Sequence, residues 1–145
     1  MGTVVLVMAT ACTPAPVPTS DPTPTASVPT ATPTPTPTGP VLHPDGTAAD
    51  NLPLFAAITA QVWASGDKAK CRAYVDALVA AGFAKADMQV TKDRTTVGNA
   101  AESLQFSVQW GQECLIGQVG PATGAPVTVV MPVVEGGSCL IGQTR

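Results

Sequence analysis

The sequence predicts an α+β domain in which two N-terminal helices pack on a small, mainly antiparallel sheet of three to five strands. Apolar residues recur at three- and four-residue steps between Leu54 and Val79, the period of amphipathic helices. After Gly82 the period falls to two, most clearly over Ser103 to Trp110, as a half-buried strand requires. Residues ahead of Asp45 are rich in Pro, Thr and short side chains and cannot build a core, so the folded domain is expected over 45–145. A domain of roughly 100 residues buries a modest core.

The elements follow in order. His43-Pro44-Asp45-Gly46 reads as a turn. Thr47 or Asp50 can cap a first helix whose apolar stripe is Leu54, Phe55, Ile58, Val62 and Trp63, ending near Ser65-Gly66. Asp67 can cap a second helix from Lys68 to about Ala81, closed by Gly82. Its inward face is Cys71, Tyr74, Val75, Leu78 and Val79, with Lys68, Arg72 and Asp76 on the polar side. Met88 to Thr91 is a short strand, and Asp93-Arg94-Thr95-Thr96 begins a loop.

In the next strand Leu104, Phe106, Val108 and Trp110 face a core, and Trp110 is the one of the four least suited to full burial. Gly111-Gln112 makes a tight turn into a partner strand, Cys114 to Val119. Gly120 to Ala125 is a loop. Val127 to Val134 is β-branched, and its Pro132 points to an edge or broken strand. Gly136-Gly137 leads to a last strand, Ser138 to Gln143. The pentapeptide Cys-Leu-Ile-Gly-Gln occurs at 114–118 and again at 139–143, and is read as two similar strands. Two copies do not make a solenoid.

The formal net charge of the 145 residues is −3, with no basic run, so nucleic acid is not expected as a partner. At the start, Val4 to Met8 is an apolar run, too short to span a bilayer, which takes about 20 residues. It reads as the end of a signal-peptide core. Ala9-Thr10-Ala11-Cys12 resembles a lipobox, with Cys12 as the lipidation site and residues 1–12 as a partial lipoprotein signal peptide. Ala9 stands where a lipobox has Leu, and no Lys or Arg precedes the run, so the natural start is expected further upstream. A diacylglyceryl group supplies the two chains that stable anchoring needs. Residues 13–44 read as a disordered tether holding most of the chain's 15 prolines. Extended at about 3.1 Å per residue, Thr13 to Pro40 would reach roughly 80 Å.

Four cysteines are present, at 12, 71, 114 and 139. With Cys12 lipidated, three remain for an oxidising compartment. Cys114–Cys139 is the preferred disulfide, because both begin equivalent segments and the intervening loop is flexible; Cys71–Cys139 is the rival. No C-x-x-C pair occurs, and the only histidine, His43, precedes the domain, so neither metal nor cofactor is expected. Without a histidine base in the domain, Ser-His-Asp and Cys-His catalysis are excluded. A carboxylate pair drawn from Asp87, Asp93, Glu102, Glu113 and Glu135 is the remaining enzymatic option, and each reads most simply as a surface charge. Gly117, Gly120, Gly124, Gly136 and Gly137 form no phosphate loop and read as turn or bulge positions.

Residues from about 50 to 145 resemble a family of short, uncharacterised actinobacterial lipoproteins known as a domain of unknown function. The resemblance rests on Asp76 to Phe83, Met88 to Thr91, Gln105 to Val108, Trp110-Gly111 and the two Cys-Leu-Ile-Gly segments. It implies export and a paired Cys114 and Cys139, and carries no biochemical activity. The expectation is a lipid-anchored protein on the outer face of the cell membrane. It would hold membrane lipid through Cys12 and act as a non-catalytic module that binds an envelope protein or a cell-wall component. A carboxylate-based envelope hydrolase and a structural subunit of an envelope complex are the alternatives.

Overall fold

A computed structural model describes residues 39–142. The leader, Cys12 and the tether through residue 38 lie outside the described residues, as does Gln143. Helix α1 spans Ala48–Trp63 and α2 spans Cys71–Ala80; a 3-10 turn at Lys85–Asp87 leads into the sheet. Its strands are β1 (Met88–Val90), β2 (Leu104–Trp110), β3 (Glu113–Val119) and β4 (Val127–Pro132). They lie side by side in the order β1-β2-β3-β4, every neighbour antiparallel. This is the α+β class that the periodicity predicts. α1 lies over β3 and β4, and α2 over β2.

α1 starts where sequence places a cap. The Thr47 hydroxyl accepts the Asp50 N–H at 3.2 Å and the Asp50 carboxylate accepts the Thr47 N–H at 2.8 Å, a reciprocal capping box. The Thr47 backbone and side-chain hydrogen bonds hold the Asp50 carboxyl below the usual carboxylate range. Phe55, Ile58 and Val62 are buried as expected, and Leu54 and Trp63 are half-buried against the core. Two buried polar residues of α1 escape the apolar pattern. Asn51 accepts the His43 N–H and donates to the carbonyls of His43 and Thr47, fixing the entering chain to the helix. Thr59 donates back to the Phe55 carbonyl.

α2 is shorter than the sequence suggests, and its cap is different. Asp67 to Lys70 forms a separate turn, closed by the Lys70 N–H on the Asp67 carbonyl, so Asp67 caps nothing and instead pairs with Lys70 at 2.7 Å. Val79 is also corrected: it is 39% exposed, because only Cys71, Tyr74 and Leu78 point fully inward on a ten-residue helix. The C-terminus closes as expected. Gly82 takes φ +101, the Gly82 N–H reaches the Val79 carbonyl and the Phe83 N–H reaches that of Leu78. This is the Schellman arrangement, and it buries Phe83 beside Leu78.

The core is aromatic at its centre. Tyr74 stacks on Phe106 with ring centroids 4.5 Å apart; Phe55 lies 5.7 Å from Phe106 and meets Phe83 edge-on at 6.2 Å. Trp110 is half-buried, as an amphipathic ring allows: it meets Phe83 edge-on and donates its indole N–H to the Gly46 carbonyl at 2.8 Å.

The last expected strand is not one. Ser138 makes an isolated bridge to Val134, and the chain then crosses the sheet face opposite the helices. There Gln89 Oε1 accepts the N–H groups of both Cys139 and Leu140, and Ser138 Oγ lies 3.0 Å from the same oxygen. Successive N–H groups converging on one acceptor form a concave nest, whereas in a strand they point to opposite sides. The disulfide Cys114–Cys139 closes the strap, with Cα atoms 5.6 Å apart. Cys71 is buried on α2 and takes no part in it. The reading of Gly117 as a turn or bulge is likewise replaced: it lies mid-strand in β3, opposite Phe106.

Candidate functional site

A groove of about 540 Å³ lies between α2 and β1. Val75, Met88 and Val90 form its apolar floor, and Arg72, Asp76, Lys85 and Asp93 stand around it. Each wall follows from local sequence. The Schellman turn at Gly82 reverses the chain, Phe83 plugs into the core, and the short turn at Lys85–Asp87 delivers β1 alongside α2. β1 is an edge strand, with β2 on one side only.

The hydrogen-bond phase of the sheet decides what that edge presents. The two-residue hairpin loop makes Trp110 and Glu113 a hydrogen-bonded pair, so alternate residues of β2 from Trp110 back bond to β3 and the others to β1. Gln105 accepts the Thr91 N–H at 2.9 Å, in phase with this. Gln89 therefore bonds inward to β2; the Met88 N–H is taken by the Lys85 carbonyl of the 3-10 turn, and the Met88 C=O and the N–H and C=O of Val90 face outward beside α2.

The charged rim is organised by two contacts. Asp93 Oδ1 accepts the Cys71 N–H at 3.0 Å, capping α2 from the loop beyond β1. Arg72 pairs with Asp76 one helical turn on, at 3.2 Å. Lys85 stands beside them on the 3-10 turn.

The five carboxylates singled out from sequence are not brought together. Asp87 lies on the 3-10 turn, Glu102 ahead of β2, Glu113 at the start of β3 and Glu135 in the turn after β4, all exposed. Only Asp93 borders the groove, whose lining also includes Asp76, a residue the sequence places on the polar face of α2. Among the described residues no group of three or more His, Cys, Asp or Glu is placed to hold a metal ion. No described helix is long and apolar enough to cross a membrane. The groove residues Arg72, Val75, Lys85, Met88 and Val90 carry no motif; the one available signal is the short strand beginning at Met88 directly after a helix stop.

The sequence matches a family described as a domain of unknown function, DUF6993, over residues 59–143. The chain belongs to the DUF6993 family. The matched span runs from the last turns of α1 through all four strands, so the DUF6993 region holds both cysteines of the disulfide and every residue of the α2/β1 groove. No curated protein and no solved structure matches the chain.

Proposed function

We propose that this chain is a membrane-anchored, extracytoplasmic binding module without catalytic activity, and that its DUF6993 domain takes an extended peptide segment of an envelope protein in the α2/β1 groove. The anchoring half of the reading is supported by the order of segments at the N-terminus: an apolar run, small residues, Cys12, then a Pro/Thr-rich stretch. Cys12 carries the lipid, and the tether holds the domain away from the membrane.

The binding half rests on one observation, the outward C=O of Met88 and the outward N–H and C=O of Val90 along an apolar groove. An added strand gains main-chain hydrogen bonds from such an edge and specificity from the pockets beside it. Its alternate side chains would lie on Val75 and Met88, while Arg72, Asp76 and Lys85 read polar groups at the rim. The hydrolase alternative has Asp76 and Asp93 in its favour, since both border the groove. Against it, Asp93 is engaged as a helix cap and Asp76 as an ion-pair partner.

Anchoring is tested by metabolic lipid labelling with and without globomycin: the wild-type chain takes label, Cys12→Ser does not, and an unlabelled wild type removes the claim. Binding is tested by selecting displayed random peptides on the domain. Selected peptides should lose affinity for Val75→Glu and Met88→Glu variants that keep the wild-type circular dichroism. Peptides indifferent to both substitutions place the binding surface elsewhere, and release of product from the selected peptides favours the hydrolase.

A further inference from the structure

The other edge of the sheet differs from β1 in length and in chemistry. β1 has three residues and is bracketed by Lys85, Asp87, Lys92 and Asp93. β4 has six, and residues 121–134 contain no charged side chain at all. Exposed edges are ordinarily blunted by shortness, charge or proline. On β4 the only such device is a pair of prolines, Pro126 and Pro132, placed symmetrically about Val129.

The ladder phase extends to this edge. The Val133 N–H reaches the Gln112 carbonyl at 3.1 Å, so Val127, Val129 and Met131 bond inward to Gln118, Ile116 and Cys114. The outward N–H groups are then those of Thr128 and Val130 alone, because Pro126 and Pro132 have none. Val127, Val129 and Met131 project from the sheet face opposite the helices and are 48%, 39% and 49% exposed.

We infer that β4 is a self-pairing edge: a second copy of this chain adds antiparallel across it, centred on Val129. In that register Thr128 pairs with Val130 of the partner subunit, and the converse, using every outward donor of the edge. Val129 faces Val129 of the partner subunit, and Val127 faces Met131 of the partner subunit, in non-hydrogen-bonded positions where side chains approach most closely. A shift by two residues in either direction leaves one of the three exposed apolar side chains on each copy beyond the partner's strand. A second copy fits better than a foreign charged segment, since a strand with no charge presents nothing for such a segment to pair with. The two-fold axis would join two sheets into one of eight strands and leave both α2/β1 grooves at the far edges, so the inference is independent of what those grooves bind.

The test is sedimentation velocity over a concentration series, on the full chain carrying Cys12→Ser so that no intermolecular disulfide contributes. The expected result is a reversible monomer–dimer equilibrium. Val129→Lys places like charges opposite each other and should weaken association by at least about tenfold, as should Val129→Asp. An equimolar mixture of the two variants should restore the dimer, because only the centred register sets residue 129 against itself. Circular dichroism and thermal melting establish that each variant is folded. A chain monomeric up to millimolar concentration, a dimer insensitive to both variants, or variants that fail to rescue each other overturns the inference.

Discussion

The carboxylate of Asp93 accepts the backbone N–H of Cys71 at 3.0 Å, across 22 residues of sequence. It satisfies a donor at the start of α2 that Lys70, the residue in the N-cap position, leaves without a side-chain partner. One hydrogen bond thereby ties the β1–β2 loop to the helix and sets one end of the α2/β1 groove.

Asp93→Ala should cost about 1 kcal/mol, the usual value of an N-cap side chain. Asp93→Asn should retain much of it, since an amide oxygen can accept the same N–H. Urea denaturation of the three proteins measures this, and equal losses for Ala and Asn would mean that negative charge, not the hydrogen bond, is what matters.

Tyr74 is the chain's only tyrosine. Its hydroxyl donates to the Lys68 carbonyl at 2.9 Å, and its phenol is pushed up from 10.0 to about 12, chiefly by burial and then by the neighbouring Cys71. A raised phenol means that the fold favours the neutral form. The stability this confers is complete below pH 10 and drains away as pH rises towards 12. Phenolate absorbance should therefore rise with a midpoint near 12, alongside loss of the near-ultraviolet circular dichroism. A midpoint near 10 with the fold intact would contradict the burial.

A methyl group at Gly117 would lie 2.4 Å from the Phe106 ring, the ring on which Tyr74 stacks. Overpacking of a core costs typically about 1–3 kcal/mol, so Gly117→Ala should destabilise by that amount despite alanine's small size. Gly142, its counterpart in the second copy of the pentapeptide, has nothing nearby but takes φ +104. Gly142→Ala should cost less, being strained in backbone alone. Thermal melts of the two variants compare them directly.

Replacing both Cys114 and Cys139 by serine opens a 25-residue loop. By the loop-entropy estimate this should lower stability by roughly 3–4 kcal/mol. Hydrogen exchange should rise first at the Cys139 and Leu140 amides, the two held by Gln89. Protection unchanged at those amides would show that Gln89 holds the strap unaided.

Ser107 has the one buried side-chain oxygen without a hydrogen-bond partner among the described residues. Leaving a hydroxyl unsatisfied costs roughly 1–3 kcal/mol, so Ser107→Ala should stabilise the domain. A lower melting temperature for the alanine variant would reveal a partner for the hydroxyl.

Local signals were enough for most elements. The Thr47/Asp50 cap, the stripe along α1, the Gly82 stop, the alternation of β2 and the Gly111-Gln112 hairpin all act within a few residues, and each appears where the sequence places it. The groove was not legible, because its lining comes from α2, the 3-10 turn, β1 and the following loop, and nothing local records that β1 would lie at an edge.

The two copies of Cys-Leu-Ile-Gly-Gln divide what sequence determined from what tertiary structure decided. By itself the sequence determined two helices followed by a sheet, and offered Cys114 and Cys139 as partners. It could not determine that residues 114–118 form a strand and 139–142 do not. The first copy lies between β2 and β4, with its backbone bonded on both sides and Gly117 making room for Phe106. The second is paired with no strand among the described residues; its Cys139 and Leu140 amides turn together onto Gln89 Oε1 and its cysteine is fastened to the first copy. Identical residues take different backbones here because the hydrogen-bond partners around them, not their own propensities, set the lower free energy.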